Sequence, residues 1–187
     1  MKNLLKIKHW QLFTLLFAIP FLFQMVMMGV VMKSNDPTIF ISSFPFLLIY
    51  VLGLFFSWFY AMGVNLHQKL PETVAMNLGR FMFFLFVPLV YMVVLFVFMY
   101  VTFSDISAGN QSGPGAFAWL IPLHIFSVYC IFYCLYFISK CLKSVELQRT
   151  VEFNEYAGEF FLIWFFPLGV WFIQPRINKL FENDNIS

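Results

Sequence analysis

Charge is what this sequence has least of. Asp, Glu, Lys and Arg make up 11% of its 187 residues, under half the about 25% of a soluble domain. Too few polar side chains exist to cover a globular surface. A net charge of +2, without any basic run of five or more, gives nucleic acid no footing. Cysteine is sparse too. Cys130, Cys134 and Cys141 lie in or beside one apolar run, which is no extracytoplasmic disulfide framework, and with the three His they make no zinc-ligand spacing. A small-residue cleavage site is missing after the first apolar run, although Lys2, Lys6 and Lys8 lend the N-terminus a signal-peptide-like charge. That run is therefore read as a retained span. Gly-x-Ser-x-Gly, His-Glu-x-x-His, a phosphate-binding glycine loop and an acidic dyad are all missing. The chain reads as no enzyme, with no cofactor and no metal. Lys69-Leu70-Pro71-Glu72-Thr73 resembles a sortase signal only superficially, being internal and lacking the Gly after Thr.

What is present is apolar length. Hydrophobic residues form 61% of the chain and Phe alone numbers 28. They gather into four runs long enough for the about 30 Å of a bilayer core, at about 10–32, 39–64, 81–103 and 116–139. A shorter apolar segment follows at 158–174, then an amphipathic tail at 175–187. The fold class is an all-α integral membrane protein with four transmembrane helices and one membrane domain. Ser104 to Gly115 reads as the clearest loop. Lys and Arg concentrate in the N-terminus, in Asn65–Arg80 and in Lys140–Tyr156, while the intervening loops carry only Lys33. By the positive-inside rule this alternation places the N-terminus in the cytoplasm.

The last run is the ambiguous one. Phe160 to Ile173 is unbroken apolar sequence, but at ~1.5 Å per residue it covers only about 21 Å. A full crossing would place Arg176 and Lys179 on the far side, against the charge rule. A re-entrant or interfacial segment turned at Pro167-Leu168-Gly169 is preferred over a short tilted crossing. Pro175 reads as the first position of a new short helix. Its Ile177, Leu180 and Phe181 would face lipid, with Arg176 and Lys179 at headgroups. Each apolar run also holds one proline (Pro20, Pro45, Pro88, Pro122, Pro167), which membrane helices tolerate.

No Asp, Glu, Lys or Arg lies inside the four long runs, which weighs against ion-coupled transport. His124 is the one intramembrane polar site to consider, and the plainer reading is a histidine bonded to a neighbouring helix. Ser127, Cys130, Cys134 and Cys141 share a helical face and read as close packing. Met25, Met28 and Met32 share another and read as adaptable packing rather than a copper path. Glu152, Glu155 and Glu159 form an acidic stripe before the last run, and Arg149 is spaced to pair with Glu152.

Lys8-His9-Trp10-Gln11, then Leu70-Pro71 with Met76-Asn77-Leu78 and Phe81, and above all Trp164-Phe165-Phe166-Pro167-Leu168-Gly169-Val170-Trp171 with Gln174-Pro175-Arg176-Ile177-Asn178, resemble a group of small, uncharacterised polytopic bacterial membrane proteins. That resemblance implies an inner-membrane setting and no particular activity. The function expected is that of an accessory, partner-binding subunit of a membrane complex. Its partners would be the lipid bilayer and a protein partner or a second copy. Glu152, Glu155, Glu159, Arg176 and Lys179 are its candidate contact positions. The alternative is a small transporter, channel or immunity-type protein with a cavity near His124.

Overall fold

A computed structural model describes residues 3–36, 38–107 and 118–182, and every regular element among them is helical. In chain order these are α1 (Asn3–Lys6), α2 (His9–Phe13), a π-helical turn (Thr14–Ala18), α3 (Ile19–Ser34), α4 (Thr38–Gln68), α5 (Leu78–Ser107), α6 (Leu120–Leu147), α7 (Phe153–Trp164) and α8 (Phe166–Glu182). Four stretches are long and apolar enough to cross a membrane: His9–Ser34, Ser42–Gln68, Leu78–Thr102 and Leu120–Leu147. The protein is an all-α, multi-pass membrane protein.

The helices outrun the apolar segments that announce them. The fourth span continues through Lys140, Lys143 and Glu146 to Leu147. Ser104–Ser107, expected in a loop, complete α5, while the rest of that expected loop and the expected start of the fourth span lie outside the described residues. Hydropathy marks only the lipid-facing length, whereas a helix persists until its backbone finds a cap or a turn.

The first span is continuous, with a wider π turn just before Pro20. There the Ile19 N–H reaches Thr14 O. A proline lacks the N–H that would continue the ladder, and a π turn is one way a helix absorbs the mismatch. The Thr14 hydroxyl also donates back to Trp10 O at 2.8 Å. Pro45 and Pro88 lie inside their helices.

The chain divides into two compact units. One comprises Met1–Met76 with Ile138–Ser187, the other Asn77–Phe137. The second unit is an antiparallel pairing of α5 with the first part of α6, joined by a ladder of rings. Phe81 stacks on Phe137 at 4.5 Å, Phe84 meets Tyr133 at 4.5 Å, Tyr91 meets His124 at 5.6 Å, and Phe98 meets Trp119 at 5.4 Å. Ser127, Cys130 and Cys134 are buried along α6, as their shared small-residue face predicts.

The first unit is built on α8. α7 ends at Trp164, and Phe165 breaks the helix at φ −80°, ψ 58°, an inverse-γ conformation. α8 begins at once and folds back against α7. The reversal therefore sits at Phe165, two residues before the proline expected to make it. Pro167 occupies the first turn of α8, where it costs little. Pro175 does not start a helix, since α8 runs unbroken through it. Val170, Ile173, Ile177 and Phe181 follow one face of α8 and are all buried. Ile177 and Phe181 thus face protein rather than lipid. An amphipathic pattern shows that a face is apolar, not which apolar medium covers it.

Gly169 allows the close turn. A Cβ there would sit 1.8 Å from the Leu162 carbonyl oxygen and 2.7 Å from its carbon, and backbone atoms cannot give way as a flexible side chain can. Gly169→Ala should therefore lower stability by at least about 1–3 kcal/mol, read as thermal unfolding in mild detergent. Gly158→Ala, whose Cβ meets nothing within 4 Å, is the matched control and should hold or gain.

Candidate functional site

The polar residues of the first unit collect where α8 meets the end of α6, the start of α7 and the N-terminal segment. Arg176 is the hub. Its Nε donates to Glu146 Oε1 at 2.7 Å and its Nη2 to Glu146 Oε2, a two-pronged pairing that suits the planar guanidinium. The same Nη2 donates to Glu159 Oε1 at 2.7 Å, and Lys143 Nζ donates to that oxygen at 3.1 Å. Two cations and two carboxylates balance to a formal charge of zero. The Glu159 side chain is 6% exposed and that of Arg176 31%. Burial alone pushes the Glu159 carboxyl up, but the hydrogen bonds from Arg176, the backbone and Lys143 outweigh it and hold the group below the usual carboxylate range. The carboxylates, Glu146 first, raise Arg176 above its ordinary value.

Two residues before Arg176, Gln174 is wholly buried and uses both ends of its amide. Trp58 Nε1 donates to its Oε1 at 2.9 Å. Because an indole N–H can only donate, this contact fixes which end of the amide is oxygen. The NH2 end then donates to Ile7 O at 2.9 Å, Leu4 O at 3.2 Å and Leu5 O at 3.4 Å. Asn178, one turn on, donates to Leu5 O at 2.7 Å and Ile7 O at 3.2 Å. These are carbonyls left over where α1 ends and α2 has not yet begun, so the two amides complete a helix terminus that lacks its own partners. At the far end of α8, Lys69 Nζ donates to Leu180 O at 2.8 Å and lies 4.7 Å over the Phe181 ring. A cation at the carbonyl end of a helix is favourably placed.

Several sequence expectations are corrected here. Glu152, Glu155 and Glu159 do not act as one acidic stripe, being exposed, half-buried and buried in turn. Glu152 is the N-cap of α7, where its N–H donates to Glu155 Oε2 at 2.9 Å. Glu155 also pairs with Arg149, the partner expected for Glu152. That pairing lowers the Glu155 carboxyl and raises Arg149. Glu159 is turned inward. Arg176 meets carboxylates rather than headgroups, and of the expected contact positions Glu152 and Lys179 remain exposed. His124 takes the plainer role, its Nδ1 lying 2.9 Å from the Tyr91 hydroxyl. Met25, Met28 and Met32 are exposed on α3. Among the described residues no three His, Cys, Asp or Glu gather as a metal set.

Glu146, Gln174 and Asn178 were not singled out in the sequence. Lys143 and Glu146 at helical spacing, and Gln174 and Asn178 one turn apart beside an apolar stripe, were the available signals. No family model, curated protein or solved structure matches the chain.

Removing one partner of a buried ion pair costs roughly 3–5 kcal/mol, and with Arg176 partly exposed about 2–3 is expected for Arg176→Ala. Arg149→Ala, at an exposed pair, should leave the melting temperature in detergent nearly unchanged. Glu159 carries a lowered folded value, so its contribution is complete above the ordinary 4.5 and fades as pH falls below it. Melting temperature should therefore drop less steeply between pH 6 and pH 3.5 in Glu159→Gln than in the parent. Gln174→Leu orphans the Trp58 indole and the Leu4 carbonyl and leaves the Leu5 and Ile7 carbonyls to Asn178 alone, a cost of about 1–3 kcal/mol. Hydrogen exchange at residues 4–8 should accelerate in that variant before the rest of the chain changes.

Proposed function

We propose that this is a non-enzymatic, partner-binding subunit of a membrane complex, held in a bacterial inner membrane with its N-terminus in the cytoplasm. The observation that carries the reading is the first span. Only 6% of its most apolar stretch is buried, against 22–33% in the other three, and α3 has no buried residue at all. Phe21, Leu22, Met25, Val26, Met28 and Met32 are all more than half exposed. Such a helix adds area for another transmembrane helix, and its methionines and Gly29 suit adaptable, close packing. The charge network supports the same reading from the other side. Its cations and carboxylates pair with one another, as in a structural clasp. The cytoplasmic orientation rests on the distribution of Lys and Arg.

The deciding experiment is gentle-detergent extraction from native membranes and native mass measurement of the tagged chain. A stoichiometric foreign subunit is expected, lost when Phe21, Met25 and Met28 are jointly changed to Ala. A chain that runs alone, or only with copies of itself, overturns the subunit reading.

A further inference from the structure

Independently of that reading, we propose that α7 and α8 form a hairpin that enters the bilayer to about its middle and returns to the side it came from. This puts the end of α8 on the same side as the N-terminus and surrounds the aromatic apex with lipid acyl chains. Three separate rulers give the depth. Phe166, at the apex, touches Phe17 at 5.2 Å, and Phe17 lies eight residues past His9, the start of the first span. At ~1.5 Å per residue that is about 12 Å. Phe166 also touches Phe55 at 4.8 Å, thirteen residues before Gln68, the end of the second span, which is about 20 Å. Along α8 itself, Phe166 stands ten residues from Arg176 in the charge network, about 15 Å. The values bracket the middle of a hydrocarbon core ~30 Å thick.

Direction is equally constrained. Trp171 lies against His9 and Phe13 at 4.9 and 5.5 Å, while Phe166 reaches the deeper Phe17. α8 therefore descends in number as the first span ascends, so it leads outward from the apex. Arg176 then rejoins Glu146 at the end of the fourth span, Asn178 rejoins the N-terminal carbonyls, and Lys69 after the second span closes on Leu180. A crossing of the membrane is incompatible with all three returns. The surface of the apex fits the medium. Phe161, Trp164, Phe165, Leu168 and Phe172 are each 46–63% exposed, apolar surface suited to acyl chains at that depth. Backbone reversal at such depth is tolerated when protein satisfies it. Here the Phe165 carbonyl accepts from Leu168 and Gly169 at 2.9 and 3.0 Å, and the Phe165 N–H donates to Phe161 O at 2.8 Å.

The test uses the full chain with Cys130, Cys134 and Cys141 replaced by Ala, in sealed vesicles of known orientation. Single cysteines are placed at exposed positions: Lys179→Cys, Glu72→Cys in the loop after the second span, and Lys33→Cys at the far end of the first. A membrane-impermeant maleimide should label Lys179→Cys together with Glu72→Cys and opposite to Lys33→Cys. Labelling with Lys33→Cys overturns the proposal. A nitroxide at Phe165→Cys should show the oxygen-rich, metal-poor collision profile of the bilayer centre, and a headgroup-level profile overturns it as well. A fluorescent or phosphatase reporter fused after the last residue of the otherwise unaltered chain reads the side without any substitution.

Discussion

A guanidinium near a membrane has to be neutralised where it lies, and Arg176 meets that demand with two carboxylates drawn from different helices. Glu146 ends the fourth span and Glu159 rides on the descending arm of the hairpin, so one side chain fixes three elements at a common level. The rest of the first unit depends on that level. With α8 set by Arg176, Gln174 and Asn178 come opposite the N-terminal carbonyls, and the Val170, Ile173, Ile177 and Phe181 face closes on the core. The geometry is more demanding than the charge count. A lysine at 176 would keep the charge and lose the fork that serves both carboxylates.

The two units solve the same problem with different materials. The Asn77–Phe137 unit joins its helices with stacked, tilted and edge-on rings and a tyrosine–histidine hydrogen bond. The other unit joins its helices with amides and ion pairs near one end and with rings around Phe166 deeper in. Polar contacts are placed where water and headgroups lower the cost of being imperfect, and aromatic contacts where no partner for a polar group is at hand.

The four spans were legible because lipid demands about twenty apolar residues in succession, and few other structures produce them. Their ends were not, because Lys140, Lys143 and Glu146 look like a loop to hydropathy and are helix to the backbone. The fifth run was legible as a short apolar segment with a turn in it, yet the turn was placed at Pro167-Leu168-Gly169 when Phe165 makes it. Gly169 matters for what it lets approach, and nothing local in the sequence names Leu162 as the neighbour. The candidate site was half legible. Glu159 and Arg176 were picked out for their charge, but their pairing joins residues seventeen positions apart across a reversal, and Glu146 has no cue pointing thirty positions ahead. Ile177 and Phe181 were given to lipid because periodicity reports an apolar face and is silent about its neighbour.

The clasp made by Gln174 has a consequence in time. It joins residues 167–170 positions apart, so the carbonyls of Leu4, Leu5 and Ile7 wait for an amide made that many residues later. At roughly 5–20 residues per second, synthesis of that interval takes on the order of ten to thirty seconds. Throughout it the first span must sit in the membrane with its leading turn unfinished. Assembly of this unit is therefore ordered by translation, and the return of α8 is the step that seals the N-terminus.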